Sequence, residues 1–162
     1  MKKVVKSFEY QVFDDVTELS EVDKQLMYSA VEAREKAYSP YSKFNVGAAI
    51  LLENGEIVQG NNQENASYPS GLCAERVAIF YAGATYPNVK IKAVAISATS
   101  KNYVVAEPAA PCGNCRQAMV EYEQKQHEPI SVMLMGEKGQ VIKCASVDNL
   151  LPLAFSSSVL EE

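Results

Sequence analysis

The tetrapeptide Gly136-Glu137-Lys138-Gly139 constrains this chain more than any other segment. It joins two short runs rich in apolar and β-branched residues, Ser131 to Met135 and Gln140 to Cys144. A link this short permits an antiparallel hairpin and excludes a parallel crossover, which needs a dozen or more residues. The chain therefore closes on an antiparallel strand pair, and the elements before it must supply the rest of the sheet.

Upstream, Ser20 and Asp23 form a capping pattern, after which Leu26, Ala30, Ala33 and Ala37 fall on one helical face. This predicts a helix over 21–38, ended by Ser39-Pro40. Val46 to Leu52 and Glu56 to Gly60 flank Asn54-Gly55, the strongest short-range signal for a hairpin. An Asn-rich loop over 61–71 leads to a helix from Cys73 to Gly83 and a strand from Ile91 to Ser97. Pro111 opens a further helix from Gly113 to Gln124, and a last helical turn is expected from Val147 to Leu151. Phe8, Tyr10 and Val12 alternate with polar neighbours, which suggests that the extension 1–20 contributes an added edge strand. The order α-β-β-α-β-α-β-β describes an α/β sandwich around a mixed sheet. With no repeat, low-complexity run or long linker, 1–162 reads as a single domain.

Composition narrows the class of function. The net charge of -5 opposes binding to a polyanion, so nucleic acid is excluded as a partner and a small molecule is favoured. No stretch has the apolar length of a signal peptide or a membrane span, which points to a cytoplasmic protein that does not engage membranes. In that compartment the four cysteines are reduced and open to a metal.

Two strings carry the chemistry: Cys73-Ala74-Glu75-Arg76 and Pro111-Cys112-Gly113-Asn114-Cys115-Arg116. A C-x-x-C alone fits half a zinc knuckle, a redox pair or chance. Both strings, however, sit where a predicted helix begins, and the partial positive charge of a helix N-terminus stabilises thiolates. Cys112 and Cys115 share a helix face, and Cys73 supplies a third ligand, leaving one position of a tetrahedral Zn²⁺ open for water. The alternative is a closed structural site with Cys144 as fourth ligand, although a lone strand cysteine is more often core. Glu75, two residues from Cys73, does not share its helix face and is left free to carry protons; the plain alternative is a first-turn Glu favoured by the helix dipole. Three thiolates leave the cluster with net negative charge, for which Arg76 and Arg116 are the candidate counter-charges. His127, the lone histidine, lies in a polar stretch and reads as a solvated loop residue.

Cys-Ala-Glu-Arg followed by Pro-Cys-x-x-Cys-Arg-Gln resembles the zinc nucleoside deaminases. Ser39-Pro-Tyr-Ser-Lys-Phe44, Val46-Gly-Ala-Ala, Glu64-Asn-Ala-Ser-Tyr and Leu150-Leu-Pro-Leu-Ala-Phe155 are similar to cytidine deaminase segments in the same order, so the resemblance spans 22–156. It implies a three-layer α/β/α sandwich around a mixed five-stranded sheet, with Zn²⁺ as cofactor. It also implies that Asn62 and Glu64 hold the ribose 3'-hydroxyl, Phe44 packs near the base and Ala74 offers backbone contacts to the base. Phe155 would reach a neighbouring subunit's pocket in a homotetramer. The chain departs from the family pattern in its extension 1–20, in the 39-residue separation of Cys73 and Cys112, and at Pro69-Ser70-Gly71. The implied reaction is hydrolytic deamination of cytidine and deoxycytidine in pyrimidine salvage, with Glu75 shuttling the protons. Rival readings are a polynucleotide deaminase, disfavoured by the negative charge and the short last link, and a zinc-stapled interaction module, which leaves Glu75 without a role.

Overall fold

A computed structural model describes residues 1–160. Its elements are β1 (Tyr10–Phe13), α1 (Glu21–Glu35), β2 (Phe44–Leu52), β3 (Ile57–Asn61), α2 (Ala74–Thr85), β4 (Ile91–Ser100), α3 (Gly113–Gln126), β5 (Ser131–Met135) and β6 (Val141–Cys144). Short 3-10 turns lie between them, including one at Val147–Leu150. The sheet order is β1-β6-β5-β4-β2-β3. Every neighbouring pair is antiparallel except β4 and β5, whose parallel pairing is bridged by α3.

The alternation of side chains sorts the residues onto two faces. Ala48, Ile50 and Leu52 join Val94, Ile96, Val132 and Leu134 beneath Ala78 and Ile79 of α2 and Met119 and Val120 of α3. On the other face Ala49, Ala93, Ala95 and Met133 pack against Leu26, Met27 and Ala30 of α1. The result is the expected three-layer sandwich, with the antiparallel β5–β6 hairpin that its short turn demanded. No helix among the described residues is long and apolar enough to cross a membrane.

Three expectations need correction. The sheet has six strands, not five, because Tyr10 to Phe13 of the N-terminal extension pair antiparallel with Cys144 to Val141 of β6. The first helix stops at Glu35, short of residue 38, because Tyr38 turns its backbone to the loop: its N–H donates to Asn62 O at 3.0 Å and its carbonyl accepts from Glu64 N at 2.9 Å. The strand after α2 runs on to Ser100, paired with Phe44 at the start of β2.

The helix bearing Cys73-Ala74-Glu75-Arg76 lies against β3 through Gly60. A Cβ there would stand 2.5 Å from Ala78 N and 2.7 Å from Ala74 O, so only glycine allows the first turns of α2 to sit so close to the sheet.

Candidate metal centre

Cys73 is the N-cap residue of α2 and Cys112 that of α3, and neither makes a side-chain cap hydrogen bond. Neither thiol is therefore spent on capping its own helix, while the free N–H groups of two helix starts lend positive potential to the space between. Cys115 enters from the first turn of α3 and is buried. Its sulfur lies 3.5 Å from that of Cys112, the Cys73 and Cys112 sulfurs are 3.9 Å apart, and all three lie within 4.8 Å of one another. Tetrahedral zinc with Zn–S bonds of about 2.3 Å requires sulfurs about 3.8 Å apart, so this donor set fits Zn²⁺.

Hydrogen bonding from the Cys115 thiol, followed by contact with the Arg76 guanidinium, outweighs burial and draws the Cys73 thiol down to about 5. The same sulfur–sulfur hydrogen bond, with burial, pushes Cys115 up. Arg76 also reaches Cys115, which makes it the counter-charge expected from the sequence. Arg116 does not serve that purpose: its Nε donates to Pro111 O and its Nη1 to Leu150 O, both at 2.7 Å, tying the approach to α3 to the C-terminal segment.

Cys144 stands apart. It is buried at the end of β6, opposite Tyr10 on one side and Val132 on the other, and is not among the clustered sulfurs. Three sulfurs rather than four are therefore brought together, and the closed structural site is not formed.

Glu75 is 5% exposed, in the first turn of α2. Burial, reinforced by the negative charge of Cys73, raises its carboxyl above the ordinary range, which marks it as a close neighbour of the sulfurs. A cavity of about 540 Å³ opens at Cys73 and Arg76, with Asn62 and Glu64 on its wall.

The chain is similar to known proteins in sequence and in fold. Residues 20–130 match the model of the family described as "Cytidine and deoxycytidylate deaminase zinc-binding region". The cytidine deaminase of Halalkalibacterium halodurans is 37% identical over 142 residues, covering 87% of this chain and 100% of that protein. The cytidine deaminase of Sporosarcina psychrophila is 40% identical over 137 residues, covering 85% of this chain and 93% of that protein. The crystal structure of cytidine deaminase from Burkholderia pseudomallei superposes with a TM-score of 0.70 at 40% identity, over 81% of this chain and 97% of that one.

The chain belongs to the cytidine deaminase family. It is a zinc-dependent hydrolase of that family, and its three-sulfur cluster is positioned to hold a metal ion.

The other residues singled out by the family resemblance fall into three settings. Asn62 is committed to the fold, since its Oδ1 accepts from Val46 N at 2.7 Å and its Nδ2 donates to Phe44 O at 3.0 Å. Glu64 Oε2 accepts from the N–H groups of Tyr41 and Ser42 at 2.9 and 3.2 Å, leaving its other oxygen available to the cavity. Ala74 is fully buried at the start of α2, and Phe44 is half-buried at the start of β2. Phe155 does not line the cavity; it is 58% exposed on the C-terminal segment, which Gln117 holds through Phe155 O at 3.1 Å. Tyr41 and Tyr68 lie within the family-like segments 39–44 and 64–68 but were given no role from sequence; they stand edge to face at 5.9 Å and line the cavity. Two aromatics in polar loops were the available signal.

Proposed function

We propose that this chain deaminates free cytidine and deoxycytidine to uridine and deoxyuridine, releasing ammonia, in the salvage of pyrimidines in the cytoplasm. The observation that carries this reading is the buried Glu75 carboxyl beside three clustered sulfurs, with a cavity opening at Cys73. Zinc, when bound, lowers the pKa of a coordinated water from 15.7 towards about 7.

Glu75 is the proton carrier. Its carboxylate takes a proton from the attacking water and places it on the ring nitrogen beside the amine-bearing carbon. It then moves the new hydroxyl's proton to the departing amine, so that ammonia leaves as the carbonyl forms. Cys73, Cys112 and Cys115 hold the metal, and Arg76 balances the excess thiolate charge. Glu64 accepts from the ribose 3'-hydroxyl, and the Asn62 amide, whose Nδ2 keeps a second hydrogen beyond its bond to Phe44 O, donates to that hydroxyl's oxygen; the backbone at Ala74 reads the base edge and Phe44 packs against it. Phe155, turned outward, supplies a wall to the pocket of an adjoining copy in a homotetramer. The negative net charge supports a free nucleoside over a polynucleotide.

The decisive assay is the loss of cytidine absorbance on mixing with purified zinc-loaded protein, run beside deoxycytidine and a cytosine-bearing oligonucleotide. Turnover of both nucleosides and none of the oligonucleotide is expected. Turnover of the oligonucleotide alone, or of nothing, would overturn the reading.

A further inference from the structure

The N-terminal extension forms the outermost strand of the sheet, and among the described residues nothing pairs with the outer edge of β1. Open edges are usually blunted by a lysine, a proline or a bulge. Tyr10-Gln11-Val12-Phe13 carries none of these, and its register with β6 is regular. Phe8, Tyr10 and Val12, two residues apart, fall on one face and are 46%, 54% and 51% exposed, with the rings of Phe8 and Tyr10 at 6.3 Å. An apolar row of this kind beside an open ladder is costly to leave in water.

The charges around this row are ordered. Lys2, Lys3 and Lys6 precede it, and Asp14, Asp15 and Glu18 follow it. Reversing the strand and laying it against itself about Tyr10 sets Lys6 opposite Asp14, the residue that directly follows β1. Phe8 then meets Val12, and Tyr10 meets Tyr10. The side-chain period of two keeps Phe8, Tyr10 and Val12 of both strands on one side of the joined sheet, while Phe13 packs against the core on the other. Directly opposed aromatic, β-branched and unlike-charge pairs are the units that stabilise antiparallel strands. Lys6 already reaches Asp148 at 2.9 Å, but both side chains are about half exposed, so that pair holds it weakly and leaves it free to exchange.

We infer that β1 is a self-recognition edge: a second copy of this chain adds its own β1 antiparallel about Tyr10, joining two sheets across a two-fold axis. Such an isologous contact closes on itself and does not propagate from that edge. It is separate from the metal centre and does not depend on the deaminase chemistry.

The test uses the full-length zinc-loaded protein, its mass read by light scattering at low and moderate salt. Tyr10→Lys places two ammonium groups face to face at the axis and should halve the mass while leaving cytidine turnover unchanged. Lys6→Glu should weaken association, and Lys6→Glu combined with Asp14→Lys should restore the wild-type mass, because the swapped charges again face each other. Under mild oxidation, Tyr10→Cys should give a covalent dimer and Val5→Cys none. Equal masses for wild type and Tyr10→Lys, or failure of the double charge swap to rescue, would overturn the inference. A folded, active Tyr10→Lys protein guards against misreading a folding defect.

Discussion

The starts of α1 and α2 meet the same physical problem in opposite ways. At α1 the Ser20 side chain accepts from Asp23 N, so the helix start is satisfied within its own first turn. At α2, and again at α3, the capping residue is a cysteine whose thiol makes no such bond. Local stability is given up there, and the unsatisfied N–H groups and the thiols are turned to a common centre. A cap that closes on its own helix stabilises a fold, whereas a cap that faces outward builds a site.

That contrast can be broken at several points. The largest effect is expected at Glu75: Glu75→Gln should retain zinc by elemental analysis while cytidine turnover falls by about 10²–10⁴-fold, since proton transfer alone is removed. Next comes Cys112→Ser, which should lose most bound zinc and lower the melting temperature, and adding a chelator to the wild type should reproduce that drop but leave the mutant's melting temperature unmoved. Gly60→Val should destabilise by about 1–3 kcal/mol in urea titration, because its Cβ meets the backbone of Ala74 and Ala78, and zinc affinity should fall with the displaced helix. The smallest effect is the control for the comparison: Ser20→Ala should cost about 1 kcal/mol in the same titration and leave zinc content and turnover unaltered.

How much of this was legible beforehand follows from the range of the forces. The β5–β6 hairpin was readable because a short link leaves a chain no other route, and the three sulfurs because thiols in two spaced motifs at helix starts have few other uses. Tyr38 leaving its helix to pair with the loop at Asn62 and Glu64 was not readable, since that pairing joins segments far apart in the chain. The same holds for Arg34 of α1, which is buried on Ser97 Oγ and Gly136 O and so ties α1 to the end of β4 and the hairpin turn. By composition Arg34 looks like a surface charge. Arg116 was misjudged for a related reason: the carbonyl of Leu150 that it holds is distant in sequence. The strand at Tyr10 to Phe13 was visible as alternation, but its place beside β6 depended on an edge that only the assembled sheet creates.

X-ray absorption at the zinc edge of the purified protein tests the central claim most directly. Three sulfurs at about 2.3 Å and one oxygen at about 2.0–2.2 Å are predicted, unchanged in Cys144→Ser. A shell of four sulfurs, or a spectrum that shifts when Cys144 is replaced, would contradict an open three-thiolate centre.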